Sequence, residues 1–271
     1  VFLSDDAYKL DEKIIETGTE PNIDYVDTKY GNNYGWLTLN SFFLPQLYAR
    51  ILLYGGAVTQ KRFRNLYDND PQAHLNSHTV NDDRDFKLLG LKQDWTYEAS
   101  KNILLKFGVE AKRLDATFDY SKNVRNEFVT ADHILTEQIE SLDAQTAQDG
   151  HQLGSYLSSR FQILPPLTLE TGLRYDYASY SSDKLWSPRI GLAYALGKAT
   201  SLRAGFGYYY QSQHINDLKI EFGENSYHPA ALSKHYVLGF EHRFNNGLQV
   251  RAEGYLKRIS DLQDSYVTFA N

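Results

Sequence analysis

Residues 167–180, LTLETGLRYDYASY, alternate with a period of two. Leu167, Leu169, Thr171, Leu173, Tyr175 and Tyr177 fall on one parity; Thr168, Glu170, Gly172, Arg174 and Asp176 fall on the other. A strand sends successive side chains to opposite faces, so this stretch is oily on one side and ionic on the other. Two architectures satisfy such a strand. In a soluble barrel or sandwich the oily face is the core; in a membrane barrel it meets lipid and the ionic face lines a wet lumen.

The same pattern recurs along the chain. Ile103, Leu105, Phe107, Val109 and Ala111 oppose Lys106, Glu110 and Lys112. Leu153, Leu157, Phe161 and Ile163 oppose Gln152, Tyr156, Ser158 and Arg160. Ile190, Leu192, Tyr194 and Leu196 oppose Arg189, Gly191 and Ala193, and Leu202, Ala204, Phe206, Tyr208 and Tyr210 oppose Arg203, Gly205, Gly207 and Tyr209. Eleven strands are expected, at about 1–12, 28–43, 47–62, 84–97, 102–119, 151–163, 167–179, 186–196, 200–212, 234–244 and 248–259. Tight turns such as LPPL at 164–167 and FNNGL at 244–248 alternate with long polar connections at 63–84, 120–150 and 213–234. Asn246-Gly247 is a favoured hairpin pair, and Pro165 and Pro166 belong at a turn because they cannot donate to a ladder.

Bulk properties narrow the function. The 271 residues carry a net charge of −6, so nucleic acid is not expected as a partner. There is no Cys, which excludes a disulfide scaffold and thiol chemistry. No apolar run is long enough for a transmembrane helix, a fact that leaves barrel strands untouched. The absence of Met, even at position 1, marks the chain as processed or as part of a longer one.

Three features favour lipid over a dry core. Several strands alternate for ten or more residues, whereas soluble strands average about 5–6. Short connections at one end and long ones at the other are the habit of outer-membrane barrels. Aromatic residues sit near strand ends, where amphipathic rings suit the interface: Trp95, Tyr97, Tyr175, Tyr177, Tyr208 and Tyr210. The charged clusters TQKRFRN at 59–65 and NDDRD at 81–85 lie where strands emerge, and bases there suit lipopolysaccharide phosphates. An up-and-down sheet of eleven cannot close antiparallel, because its first and last strands run the same way. The fold class expected is therefore an all-β, antiparallel, up-and-down transmembrane barrel segment spanning 1–271 as one domain.

LETGLRYDY followed by LWSPRIGLAYAL, then SLRAGFGYYYQ, then HYVLGFEHRF with GLQVRAEGYLKRISDL, resembles successive strands in the barrel of TonB-dependent outer-membrane receptors. The resemblance is clearest from 83 to 264. It implies a 22-stranded barrel around an N-terminal plug, of which this chain is about the middle half, without the plug or the closing strands. It implies active uptake of a scarce nutrient such as an iron chelate, cobalamin, an oligosaccharide or a peptide. The implied partners are membrane lipid and lipopolysaccharide, the protein's own plug, a TonB-type periplasmic energy transducer and an extracellular small ligand; no cofactor and no enzymatic activity are implied. Parity then assigns Lys106, Glu110, Arg160, Glu170 and Arg174, with Arg189, Glu241, Arg251 and Glu253, to the wall that faces the plug.

Candidate ligand contacts at the mouth are Tyr209, Gln211, His214, His228 and Trp186. Tyr209 should face the lumen, where a ring can stack on a ligand. The glycines of GFG at 205–207 suit a strand position that another group approaches closely. His74 and His78 share a spacing that can hold a metal but lack an acidic third ligand, so a solvated loop pair is the simpler reading and no metal site is expected. His214 and Asp217 have the character of a base and its orienter, but no nucleophile motif accompanies them. A passive porin, an outer-membrane hydrolase and a soluble binding barrel stay open as alternatives.

Overall fold

The computed structural model describes residues 2–14, 22–70, 74–129 and 134–262. Within them the chain forms one sheet of eleven antiparallel strands in sequence order. These are β1 (Phe2–Ile14), β2 (Asn22–Leu44), β3 (Leu47–Asp70), β4 (His74–Ser100), β5 (Ile103–Val129), β6 (Leu135–Leu164), β7 (Leu167–Ala178), β8 (Asp183–Leu196), β9 (Thr200–Gln211), β10 (Ala231–Arg243) and β11 (Gln249–Ser260). The sheet is open: β1 and β11 are its edges. No helix among the described residues is long and apolar enough to cross a membrane.

The sheet curls toward its ionic side. Arg84 on β4 reaches Glu221, in the connection after β9, at 3.0 Å. Five strand steps of about 4.8 Å separate β4 from β9, and the connection that carries Glu221 crosses that distance on the ionic side of the sheet. The concave face is thus the ionic parity, and the convex face carries exposed Phe107, Val109, Leu157, Leu173, Leu192 and Leu238. Cross-strand pairs keep that convex face continuous, as in Phe107 with Leu157, Leu157 with Leu173, Leu169 with Leu192 and Ile190 with Phe206. Charge on this band would cost about 2–4 kcal/mol at the bilayer midplane, which is the physical reason for the strict sorting.

Aromatic residues border the band at both edges. Near the tight turns, Trp95 lies between Phe43 and Phe107, with ring centroids 5.3 and 6.2 Å away. At the other edge Tyr175 packs on Trp186 at 4.6 Å, and Lys234 lies over Tyr208. Tyr97, Tyr177 and Tyr210 share the convex parity by register.

The strands β2 to β6 run far beyond the apolar band, and there the polarity inverts. Outward residues on β5 are Ile103, Leu105, Phe107, Val109 and Ala111, and then Arg113, Asp115, Thr117 and Asp119. Inward residues are Lys106, Gly108, Glu110 and Lys112, and then Leu114, Ala116 and Phe118. The change falls at the matching place on β4, where Leu89 opposite Arg113 is followed by Lys87 opposite Asp115. The nine residues 103–111, at about 3.3 Å each and tilted, match a hydrocarbon band of roughly 25 Å. Above it, the outside meets water and the inside is free to be dry.

This corrects the expected connections. Stretches 63–84 and 120–150 are not loops; most of each belongs to the tall β3–β4 and β5–β6 hairpins. His74 and His78 therefore stand on a strand. Among the bases expected to meet lipopolysaccharide, Arg62, Arg64 and Arg84 lie on the inward parity, and Arg64 pairs with Asp24 at 3.1 Å. The outward collar carries Lys61, Asp83, Asp85, Asp115 and Asp149 instead.

The longest described connection, 212–230, folds inward. It holds two short 3-10 turns, Ile215–Asp217 and Ile220–Phe222. Ile215, Leu218 and Ile220 insert against Leu114, Ala116 and Phe118 to form a dry core above the membrane band.

Candidate functional site

The concave wall at and above the apolar band is organised around the foot of the 212–230 loop. Several bonds fix that foot. Tyr180 donates its hydroxyl to the Gln213 carbonyl at 3.1 Å, and Tyr227 donates to the Ile215 carbonyl at 2.7 Å. The Asp183 carboxylate accepts the Ala230 N–H, and Gln213 Oε1 accepts the His228 N–H. Burial pushes the phenols of Tyr180 and Tyr227 above their ordinary range. Arg84 is held between Asp82 at 2.7 Å and Glu221, with its guanidinium 5.7 Å from the Phe118 ring centre. Burial alone would weaken its charge; the two carboxylates outweigh that and hold Arg84 more firmly protonated than usual.

Three hollows open on this wall. Gln211 and His214 share one with Glu110, Gln152, Arg174 and Asp176. Tyr209 lies in a second, beside Arg189 and His235. His228 lies in a third, with Arg84, Gln213 and Glu224, and its Nε2 is 3.1 Å from the Glu224 carboxylate. Trp186 does not join them. By register it faces outward opposite Tyr175, so the expectation that it contacts ligand at the mouth is corrected to a place in the outer aromatic border. The parity counted back from Ile190 already places Trp186 outside.

The His214–Asp217 pair does not have the geometry of a catalytic base and its orienter. The Asp217 carboxylate accepts the backbone N–H of His214 at 3.3 Å, so it caps the short turn by binding the His214 main chain and not its ring. The His78 side chain faces inward with its Nε2 buried and without a hydrogen-bond partner among the described residues. The side chain of His74 lies outside the described residues. Among the described residues no cluster of three or more His, Cys, Asp or Glu could hold a metal ion.

The nine residues assigned by parity to the lumen wall all share the concave face by register. Most of their charge is locally paired. Arg160 binds Glu170, Arg174 chelates Asp176 at 2.6 and 2.7 Å, and Arg251 binds Glu253 at 2.8 Å. Glu241 is 3.8 Å from Arg203 and accepts from Gln249. Glu110 accepts the Tyr54 hydroxyl at 2.6 Å and lies 3.6 Å from Lys112. Sequence reading missed Tyr54 as part of this wall, although its even parity on β3 matches that of Arg50, Arg62 and Arg64. It also missed the Asp94 partner of Tyr156, 2.8 Å away across Gly108. A Cβ on Gly108 would come within 2.6 Å of the Tyr156 ring, so glycine is what lets that ring lie flat. Gly207 does the same for Tyr209 and Arg189, which gives that glycine of the GFG stretch its reason; a Cβ on Gly205 would meet only ordinary contacts.

The chain matches the family described as TonB dependent receptor-like, beta-barrel, over residues 4–271. A search of curated proteins returns no match. Among solved structures it is similar to the outer membrane transporter YddB from Escherichia coli, with a TM-score of 0.50 and 13% identity, covering 94% of this chain and 43% of that one. It is similar to the RagAB peptide transporter, with a TM-score of 0.56 and 10% identity over 92% of this chain and 33% of that one. The siderophore receptor PiuA from Acinetobacter baumannii gives 0.50 and 10%, over 86% and 40%. The chain thus spans a third to less than half the length of these structures. Its convex apolar band, ionic lumen and inward loop agree with the match along its length: the chain belongs to the β-barrel family of TonB-dependent receptors, outer-membrane proteins of Gram-negative bacteria.

Proposed function

We propose that the full-length receptor imports a scarce nutrient across the outer membrane, and that this chain supplies part of the barrel wall and of the mouth that captures the ligand. The observation that carries this reading is the inward-folded 212–230 loop. It brings His214 and His228 over an ionic lumen whose outer surface is shaped for lipid, with Gln211 beside His214 at the end of β9. Tyr209 stands on the wall just below them.

The concave charges, from Lys106 to Glu253, face a plug, and a TonB-type transducer moves that plug from the periplasmic side. Contact with lipopolysaccharide falls to Lys87 and Arg113, the outward bases at the foot of the acidic collar. The similar structures include carriers of different cargo, a peptide transporter, a siderophore receptor and the copper transporter OprC, so the fold does not select among them.

The test is uptake of labelled iron chelates, peptides and copper by a strain lacking the gene, complemented with the full-length receptor. Uptake of one cargo that depends on the receptor and stops when the transducer is deleted supports the reading. Receptor-dependent influx that continues at the same rate without the transducer would make the protein a passive pore.

A further inference from the structure

The outer face of β7 to β11 differs in charge from that of β3 to β6. Over the tall hairpins the outward extension is acidic, and its bases lie beside acids. Lys61 is 3.9 Å from Asp83, and Arg113 is 3.8 Å from Asp115. Over β7 to β11 the outward parity holds no carboxylate: Glu170, Asp176, Asp183, Glu241 and Glu253 all fall on the inward parity. The lysines and arginine that do face outward there, Lys184, Lys234 and Arg258, lie at the mouth end of their strands.

Two of these bases form a pair. Lys234 stands directly opposite Arg258 on β11 and opposite Tyr208 on β9. Like charges directly opposite on one face repel. Among the described residues neither has a carboxylate within ion-pair distance, and the Asp261 carboxylate accepts the Ser260 hydroxyl at 3.1 Å. The Lys234 ammonium lies 5.1 Å from the centre of the Tyr208 ring, which steadies the charge at the aromatic border. The next row down is Phe206, Tyr236 and Leu256. There the convex face is hollowed, with a volume of about 660 Å³ lined by Ile190, Leu192, Ala204, Phe206, Leu238 and Leu256. Gly254, opposite Leu238, keeps it open, since a Cβ there would meet nothing within 4 Å. Hydrocarbon bathes this face in any case, so the hollow selects an occupant by close packing and not by removal from water.

We propose that Lys234 and Arg258 bind a phosphate of an outer-leaflet lipid whose acyl chain lies in the hollow beneath them. The occupant follows from the arrangement. A neutral lipid fills the hollow but leaves two bases repelling each other, and a soluble anion neutralises the bases but leaves the hollow to other chains. A phosphorylated lipid does both, because the bases and the hollow are one row apart. The Arg258 guanidinium takes two phosphate oxygens by parallel hydrogen bonds, and the Lys234 ammonium adds a point charge. Lys87 and Arg113, by contrast, share their stretch with the acids of the collar, so they form a looser fringe. The site goes beyond the uptake reading and does not depend on the cargo; it rests on the apolar band facing lipid.

The experiment is native mass spectrometry of the purified full-length receptor in detergent, titrated with bis-phosphorylated lipid A and with its dephosphorylated form. The phosphorylated form binds, and the dephosphorylated form binds about tenfold more weakly or worse. Lys234→Gln and Arg258→Gln each weaken lipid A by about tenfold, the loss of a charge-assisted contact. Gly254→Leu, which fills the hollow without touching the bases, also weakens it, while Lys61→Gln, in the acidic collar, changes nothing. Each variant keeps the heat-dependent gel shift of the folded barrel. Equal binding of the two forms by the unaltered receptor, or equal weakening by Lys61→Gln, overturns the proposal. So does displacement of lipid A by millimolar inorganic phosphate, because the bases would then be a site for the free anion. Undiminished binding by Gly254→Leu overturns the place given to the acyl chain. None of these outcomes bears on transducer-dependent uptake, so a failure here leaves the uptake reading standing.

Discussion

Tyr54 and Glu110 are joined across an intervening strand: the hydroxyl on β3 reaches the carboxylate on β5 at 2.6 Å, with its ring lying over Gly90 of β4. A Cβ on Gly90 would overlap that ring. The pair therefore depends on a residue that contributes no side chain at all. Gly90→Val lifts the ring from the wall and breaks the bond, whereas Tyr54→Phe removes the bond alone. The expected losses are about 1 kcal/mol for Tyr54→Phe and a further ~1–3 kcal/mol for Gly90→Val. Thermal unfolding of the full-length receptor, followed by the heat-dependent gel shift of barrels, checks the order.

The foot of the 212–230 loop should behave as a fixed element, not as a mobile flap. Leu218 is fully buried and Ile215 nearly so. Leu218→Ala should cost the docked state about 2–5 kcal/mol. Arg84→Ala should be worse than Glu221→Ala, because it leaves the nearly buried Asp82 carboxylate unpaired as well as releasing Glu221. Protease cleavage within 212–230 and amide exchange at 215–222 are the measurements. Cleavage of the unaltered loop as fast as that of the Leu218 variant would show that the foot is not docked.

Depth on the convex face should decide the cost of a charge. Leu157→Lys places an ammonium in the apolar band beside Leu173 and Phe107, at a cost of about 2–4 kcal/mol. Ser141→Lys, on the same parity of the same strand but in the extension above the band, should cost less than about 0.5 kcal/mol. Urea-dependent folding of the full-length receptor into vesicles separates the two, and equal effects would place the membrane boundary elsewhere.

How much of this was legible in the residues follows from where lipid acts. Over 103–111 and 167–177 hydrocarbon forbids charge on one parity, so both the strands and their sidedness could be read directly. Over 120–129 the outward Ser121, Asn123 and Arg125 meet water while the inward Tyr120 and Val124 alternate with Lys122 and Asn126, so neither face is uniformly oily and the stretch resembles a loop. The strand continues there because its ladder is carried by tall neighbours, not by its own pattern. The mouth was less legible still. His214 and His228 are set over two separate hollows by the way the loop folds, and the sequence signal for that fold was Ile215, Leu218 and Ile220 in a largely polar stretch.

His78 gives the tall hairpins an acid sensitivity. It faces inward between Leu66 and Val124, and its Nε2 has no hydrogen-bond partner among the described residues. Burial pushes its pKa below the usual histidine value, and nearby Lys122 and Arg64 push it further, against a smaller opposing effect of Glu140. The opened hairpin therefore binds a proton more readily than the closed one. The stability of the closed form is complete above about pH 6.5, the ordinary histidine value, and is lost as the pH falls from there toward the lowered folded value. Amide exchange across 76–82 and 120–126, corrected for the intrinsic pH dependence of exchange, should show protection falling between pH 7 and pH 5. His78→Gln, which cannot gain a proton, should flatten that fall. Protection that drops equally in both proteins would assign the acid response to the carboxylates of the collar, not to this ring.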